Sequence, residues 1–300
     1  MTRRCTTRGS PSSGCWKSSE ASVKVNQRLI EAFVRNAVEE DLGRGDLFAR
    51  IVDSRPAKAY IVAKSEGVFA GREYIETVEA LYDITLSWKI TDGAAFAPGD
   101  RLLEIEGESR DLLSLERSIL DFALHASGIA TLTAKYVARL KGYDCVLLDT
   151  RKTRPGLRAF EKYAVRCGGG QNHRMGLDDC LMLKDTHLRT IDDLERFMKA
   201  IRRKIPFTAK IEVEAEDPET AYRAMAAGAE IVMCDNMDVE TIREVVAYRD
   251  ARYPHVLLEA SGNVTLETIE AIAATGVDAI SSGSIIHQAT WPDLSMRIEG

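Results

Sequence analysis

From residue 145 onward, short apolar runs recur along the chain: "CVLL" (145–148), "CLML" (180–183), "AKIEV" (209–213), "EIVMC" (230–234), "HVLLE" (255–259) and "DAIS" (278–281). Segments of helical period separate most of them. Strands alternating with helices define βα units and a parallel sheet. Asp217 and Pro218 supply a cap and a first-turn proline for one helix, and Gly228 closes it. Thr265 opens another, closed by Gly276. The two closings resemble each other, "AGAEIV" (227–232) beside "TGVDAI" (275–280), and a repeating unit favours a barrel over an open sheet.

In a parallel βα barrel every strand ends on the same rim, and active sites form there. The residues after these runs are therefore the candidate site. "CVLL" is followed by Asp149, Thr150, Arg151, Lys152 and Thr153, and "CLML" by Lys184, Asp185 and His187. "AKIEV" ends in Glu214 and "EIVMC" in Asp235 and Asn236; the last two runs lead into Ser261-Gly262-Asn263 and Ser282-Gly283-Ser284. Between Asp149 and His187 there are eight Arg or Lys against five Asp or Glu, in a chain whose formal charge is -6. A local cationic excess at a rim implies an anionic ligand, because Arg forks match carboxylate and phosphate geometry. Arg158, Lys162 and Arg166, spaced by four, read as one solvated helix face. Arg151, Lys152, Arg174 and Lys184 lie outside that stripe and are the candidate ligands.

Residues 168–170 are consecutive glycines, whose bare N–H groups would cradle an anion or whose loop would simply move. His173 and Arg174 follow them. Glu214 and Asp235 are carboxylates among cations, suited to Mg²⁺, to sugar hydroxyls, or to a cationic transition state; an internal salt-bridge network is the plainer reading. The two Gly-containing loops on the last strands occupy the usual place of a barrel phosphate site.

The first half of the chain has a different pattern. Residues 23–40 carry apolar positions at helical spacing, and "DLGRGDL" (41–47) ends that helix with two glycines. Residues 58–107 alternate with period two, broken by turn signals at Asp92-Gly93 and Pro98-Gly99-Asp100, which predicts a small antiparallel sheet. Helical spacing returns over residues 111–126. The expected organisation is a disordered leader over 1–20, a sandwich domain over 21–130, a barrel over 131–290 and a tail over 291–300 that returns to the sandwich. The leader is rich in Arg, Ser and Thr and has no acidic residue before Glu20, a composition shared by transit peptides and disordered tails.

A 300-residue chain with 45% apolar and 29% charged residues supports a large core. Its negative charge argues against a nucleic-acid or membrane-surface binder, and no apolar run approaches a membrane span. Six cysteines show neither a CxxC pair nor metal-ligand spacing. Cys145, Cys180 and Cys234 sit in apolar runs as small buried hydrophobes, so a reducing, cytoplasmic setting is expected.

Read together, "DTRKTRPGLRAFEKYAVRCGGGQNHRMGL" (149–177), "KDTH", "IEVE", "CDN", "EASGNV" and "SSGSI", in this order, resemble quinolinate phosphoribosyltransferases. "EEDLGRGDL" (39–47) and "LERSILDFALHASGIAT" (115–131) match that family's N-terminal motifs. The resemblance implies an N-terminal α/β sandwich and an incomplete, seven-stranded α/β barrel. It implies transfer of a phosphoribosyl group from phosphoribosyl pyrophosphate to quinolinate with loss of CO₂, giving nicotinate mononucleotide, and a need for Mg²⁺. Carried over by motif, Arg151, His173, Arg174 and Lys184 would bind the quinolinate carboxylates, and Lys152 and Lys184 the donor. Thr153 would join this substrate site. Glu214 and Asp235 would meet the ribose and metal, and the 261–263 and 282–284 loops the 5′-phosphate. Arg117 would reach across from a neighbouring subunit of a homodimer or larger homo-oligomer; from spacing alone it is an Arg at the edge of an apolar helix face. Phe48 and Ala49 stand where the family carries threonines, and "KDTH" replaces "KDNH". Molybdenum-uptake relatives share some elements but lack "EKYAVRCGGG" and "KDxH". Two other classes compete with this reading, a Schiff-base aldolase using Lys184 and a non-catalytic barrel that carries an anionic metabolite.

Overall fold

The computed structural model describes residues 26–299, so the expected leader, with Cys5 and Cys15, lies outside the described residues. The first elements are α1 (Gln27–Leu42), β1 (Pro56–Ala63), β2 (Gly67–Val68), α2 (Arg72–Leu81), β3 (Ile84–Trp88), β4 (Ala95–Phe96), β5 (Arg101–Glu108) and α3 (Ser109–Arg139). Asn26 caps α1 through Arg28 N, Ile30, Val34 and Val38 form its buried stripe, and Gly43 ends it at φ +52°. Then come β6 (Val146–Leu148), α4 (Arg158–Cys167), β7 (Leu181–Leu183), α5 (Asp185–Leu188), α6 (Leu194–Ile201), β8 (Ile211–Ala215) and α7 (Pro218–Ala226). The chain closes with β9 (Ile231–Asp235), α8 (Val239–Arg252), β10 (Leu257–Ser261), α9 (Ile269–Ala273), β11 (Ala279–Ser281), α10 (Ser284–His287) and β12 (Leu294–Ile298).

The period-two segment forms an antiparallel sheet in the order β12-β1-β5-β3, with β2 and β4 as a separate pair. Its terminal strand β12 comes from the far end of the chain: Leu294 lies opposite Ala63 and Ile298 opposite Ala59. Helices α1, α2, α3 and α4 meet in an aromatic cluster, with Phe33 and Tyr74 ring centroids 5.6 Å apart and Tyr74 and Phe160 4.7 Å apart. Edge-to-face pairs of this kind add to the burial that joins the two halves.

The second half builds a parallel sheet in the order β6-β11-β10-β9-β8-β7. The seventh strand of the expected barrel is reduced to a single bridged residue. Gln171 pairs in parallel with Leu148, donating to Leu147 O at 2.8 Å and accepting from Asp149 N at 3.2 Å. Beyond it the ladder does not continue to β7 among the described residues; the Arg174 guanidinium spans the seam to Cys180 O at 3.1 Å. Asp217 caps α7 through Thr220 N at 2.7 Å, and Gly228 turns at φ +91°. Residue 265 begins a turn rather than the helix itself, and α9 starts at Ile269.

Helix α3 runs well past the expected end at 126, to Arg139. Ser127 and Gly128 lie inside the helix. Gly128 allows a close crossing: a Cβ there would lie 2.7 Å from Thr290 O. Ser127 is also used by the fold, donating to Ala70 O and accepting from Ala70 N. The helix is thus a spine of about 46 Å at 1.5 Å per residue, serving both halves. None of the described helices is long and apolar enough to cross a membrane.

Candidate active site

The C-terminal ends of the parallel strands surround a cleft of about 550 Å³. Sheet order sorts its chemistry. Arg151 and Lys152 follow β6, His173 and Arg174 follow the Gln171 bridge, and Lys184 follows β7. These three places are consecutive around the barrel, across its seam. The remaining arc carries Glu214 on β8, Asp235 on β9 and Ser261, Gly262 and Asn263 at the end of β10. One side of the cleft is cationic, and the other offers carboxylates, hydroxyls and amides.

Lys184 Nζ pairs with Glu214 Oε2, and Glu214 is buried while Lys184 is half-exposed. Asp235 accepts from the Asn236 amide at 3.0 Å. The 261–263 turn is locked by an unusual backbone: Asn236 and Asn263 have φ +55° and +50°, and Gly262 has φ +90°. Asn263 Nδ2 reaches Asn236 Oδ1 at 3.1 Å, and a Cβ on Gly262 would lie 2.1 Å from that same oxygen. Only glycine fits there.

Four expected residues stand just behind the cleft wall. Thr153 Oγ1 accepts from Arg158 Nε at 3.2 Å. Ser282 and Ser284 hydroxyls lie 2.6 Å apart, and Gly283 lets the Lys152 stem pass, since a Cβ would meet Lys152 Cδ at 2.9 Å. Arg117 is on the exposed surface of α3, 3.4 Å from Asp121, and does not line the cleft. Thr150 and Asn236, expected on the rim, also line the cleft, as do Met182, Met233 and Ser281, which were not among the candidates.

Beneath the cleft floor His173 Nε2 lies 3.2 Å from Glu212 and 3.3 Å from Glu259, both buried. His173 Nδ1 accepts from Arg174 N at 2.7 Å. Burial opposes a charged ring, but the hydrogen bonds and charges of Glu212 and Glu259 outweigh it and raise the imidazole to about 10. Taking the second proton costs the ring its Arg174 amide contact, so Nδ1–H then needs another acceptor; a carboxylate brought into the cleft would be one. Burial, aided by the neighbouring Glu259 charge, pushes Glu212 above the usual carboxylate range against the opposing His173 hydrogen bond. Glu259 Oε1 and Ser281 Oγ are buried without a protein partner, so the barrel interior keeps unspent hydrogen-bonding capacity.

Three expectations are corrected. Lys162 is not on a solvated face: it is fully buried, pairs with Asp149 and donates to His173 O at 2.8 Å. Its stripe partners also turn toward the 172–175 segment, Arg158 to Met175 O at 3.0 Å and Arg166 to Asn172 Oδ1 at 2.6 Å. The three glycines are neither an anion cradle nor an open loop. Gly168, Gly169 and Gly170 donate their N–H groups to the last turn of α4, and a Cβ on Gly168 would lie 2.5 Å from Ala130 O. Of the described cysteines, which are all free, Cys234 is buried while Cys145, Cys167 and Cys180 are only partly so. Glu212 and Glu259 were missed altogether, although "IEVE" places Glu212 and Glu214 on one strand face.

Residues 129–297 match the C-terminal domain of quinolinate phosphoribosyl transferase, and residues 46–127 match its N-terminal domain. A probable nicotinate-nucleotide pyrophosphorylase [carboxylating] from Methanothermobacter thermautotrophicus is 40% identical over 274 residues, 89% of this chain and 98% of the relative. The Rattus norvegicus nicotinate-nucleotide pyrophosphorylase [carboxylating] is 33% identical, covering 90% and 91%. The structure of the nicotinate-nucleotide pyrophosphorylase from Francisella tularensis superposes with a TM-score of 0.87 at 36% identity, covering 92% of this chain and 98% of that one. A cationic arc facing a carboxylate arc on an incomplete barrel, matched across both halves, shows that the chain belongs to the quinolinate phosphoribosyltransferase family.

Proposed function

We propose that this cleft joins quinolinate to phosphoribosyl pyrophosphate, releasing pyrophosphate and CO₂ and forming nicotinate mononucleotide for NAD biosynthesis. The division of the rim into two arcs carries this reading. Arg151, His173, Arg174 and Lys184 form a seat for two carboxylates on one ring, and Lys152 lies between that seat and the donor. Glu214 and Asp235 face the ribose, and the 261–263 and 282–284 loops offer hydroxyl and amide groups to the 5′-phosphate.

Held by both carboxylates, the quinolinate nitrogen faces C1 of the ribose, and most of the rate gain is positioning. The N–C1 bond forms as the C1–O bond to pyrophosphate breaks. Glu214 and Asp235 offset the positive charge that develops on the sugar. The ring, now a pyridinium, loses its 2-carboxylate as CO₂; the electron pair left on C2 is stabilised by the cationic nitrogen and then takes a proton. The donor set suits Mg²⁺, which binds one or two carboxylates together with substrate phosphates: Glu214 and Asp235 are oxygen ligands on adjacent strands, on the arc assigned to the donor. Mg²⁺ held there, directly or through water, would neutralise charge on the departing pyrophosphate.

Arg117 completes the site of a second subunit, which makes a homodimer the smallest active unit. The face around it supports this: Leu113, Leu47, Phe48 and Ile51 are exposed, and the 46–52 segment is tied to α3 by Ser114–Asp46 and Arg110–Val52 contacts. Phe48, where the family carries threonine, enlarges that apolar face. Free cysteines fit a reducing, cytoplasmic compartment. Incubation with quinolinate, phosphoribosyl pyrophosphate and Mg²⁺ should release pyrophosphate and CO₂ in equal amounts. Quinolinate binding without either product would instead indicate a carrier, and trapping of an aldehyde on Lys184 by borohydride would indicate an aldolase.

A further inference from the structure

The main-chain ladder between β6 and the Gln171 bridge stops at Asp149 N. Past that point the two segments carry Arg151 and Lys152 on one side and His173 and Arg174 on the other, with no further backbone pairing between them among the described residues. Side chains take over. Asp149, fully buried, accepts from His173 N at 2.9 Å and from Asn172 Nδ2 at 2.6 Å, as well as from Lys162 Nζ. Lys162 reaches in from α4 and also donates to His173 O. The N–H and the C=O of residue 173 are thus both held, one by each member of a buried ion pair. Asn172 closes the ring by donating to Lys162 O at 2.9 Å.

An ion pair this deep is a poor way to gain stability, because an apolar pair of similar volume serves as well or better. It does fix geometry, since each charge has few places to go and each hydrogen bond is directional. We propose that Lys162, with Asp149, is a positioning residue that sets the spacing between Arg151 and the His173–Arg174 pair, and so determines affinity for the dicarboxylate substrate. Most of the donor's seat, Glu214, Asp235 and the 261–263 loop, stands on β8, β9 and β10 and does not depend on this clamp; of the donor's groups, Lys152 shares the segment with Arg151. The inference rests on the functional reading above, and the test separates the two.

The test uses the full chain carrying Lys162→Met and, because a lone buried Asp149 charge can prevent folding, the charge-neutral double variant Asp149→Asn/Lys162→Met. Calorimetry with quinolinate alone and with phosphoribosyl pyrophosphate alone gives both affinities without turnover, and steady-state KM values follow for each substrate. Quinolinate should bind at least about tenfold more weakly and the donor within about threefold of wild type, since a small misplacement of binding groups is costly only where they act. Folded variants with unchanged quinolinate affinity, or with both affinities lowered equally, would overturn the proposal. If both variants fail to fold, Asn172→Ala, which removes one strut, should weaken quinolinate selectively; no selective change would count against the clamp. Wild-type protein that binds no quinolinate would remove the functional reading and the clamp with it. Wild-type binding matched by the variants would remove the clamp alone.

Discussion

Arg117 offers a test of function and assembly at once. Its guanidinium is more than half exposed, and the contact it makes is with Asp121, one turn along α3 at 3.4 Å. An exposed i,i+4 pair contributes about 0.3–0.5 kcal/mol, and alanine recovers a few tenths as a better helix former. Arg117→Ala should therefore move the thermal midpoint by no more than about 1–2 °C. On the proposed assembly activity should nonetheless collapse, because a partner subunit's site would lose a carboxylate ligand. Lys184→Ala should also be inactive; its loss leaves Glu214 without its ion pair, at a folding cost of about 1 kcal/mol once the lysine's exposure is allowed for. Mixed and allowed to exchange, the two variants form about half mixed dimers, each with one doubly damaged and one intact site, so recovery should approach about one quarter of wild type. Pyrophosphate release measured before and after exchange, with exchange followed by native mass spectrometry, decides the matter. No recovery despite complete exchange would mean that Arg117 serves its own subunit or none.

Lys152→Ala should lower kcat/KM at least about tenfold with folding intact, since one charged contact to the reacting groups is removed; near wild-type turnover would take Lys152 out of the site. Gly262→Ala should weaken the donor rather than quinolinate, because the new Cβ displaces Asn236 from the 261–263 turn, and KM values for the two substrates will show which is affected. Arg249 is buried between Asp250 and Asp278, each at 2.6 Å, and bonds Val256 O and Gly276 O near the starts of β10 and β11. Arg249→Met should cost about 1–3 kcal/mol in urea unfolding, since the two carboxylates left behind reach solvent, while leaving kcat per folded molecule unchanged, because it lies at the end of the barrel away from the cleft. Burial pushes the thiols of Cys145 and Cys234 up to about 12 and that of Cys180 to about 11. Because the thiolate is the reactive form, these three should resist iodoacetamide at pH 8 in the folded protein and react once it is unfolded, as peptide mass mapping would show.

Much of the barrel was legible because its punctuation is local. Asp217, Pro218 and Gly228 mark the limits of α7 by cap chemistry that acts over one turn, and apolar runs mark the strands. The seventh strand was not legible as a run, because a single bridged residue leaves no apolar pattern. The full length of α3 was not legible either, because Gly128 permits a close crossing inside the helix, and that use of a glycine leaves no local pattern. Arg151, Lys152, Lys184, Glu214 and Asp235 were readable from strand ends, and His173 and Arg174 from their place after the glycine triplet; all seven line one cleft. What lies beneath them was not readable. A lysine at i,i+4 spacing has the same pattern whether it faces water or, like Lys162, a buried carboxylate. Glu212 and Glu259 sat unnoticed inside strands, where burial on both faces makes a charge unexpected and therefore informative.

In the proposed reaction, decarboxylation at carbon 2 follows bond formation between the quinolinate nitrogen and the ribose. The most direct measurement uses quinolinate labelled in the 2-carboxyl group, with and without phosphoribosyl pyrophosphate, following labelled CO₂ and pyrophosphate together. One labelled CO₂ per pyrophosphate is expected, none without the donor, and none from quinolinate labelled in the 3-carboxyl group. Pyrophosphate release with the label retained in the nucleotide, or label lost without the donor, would contradict it.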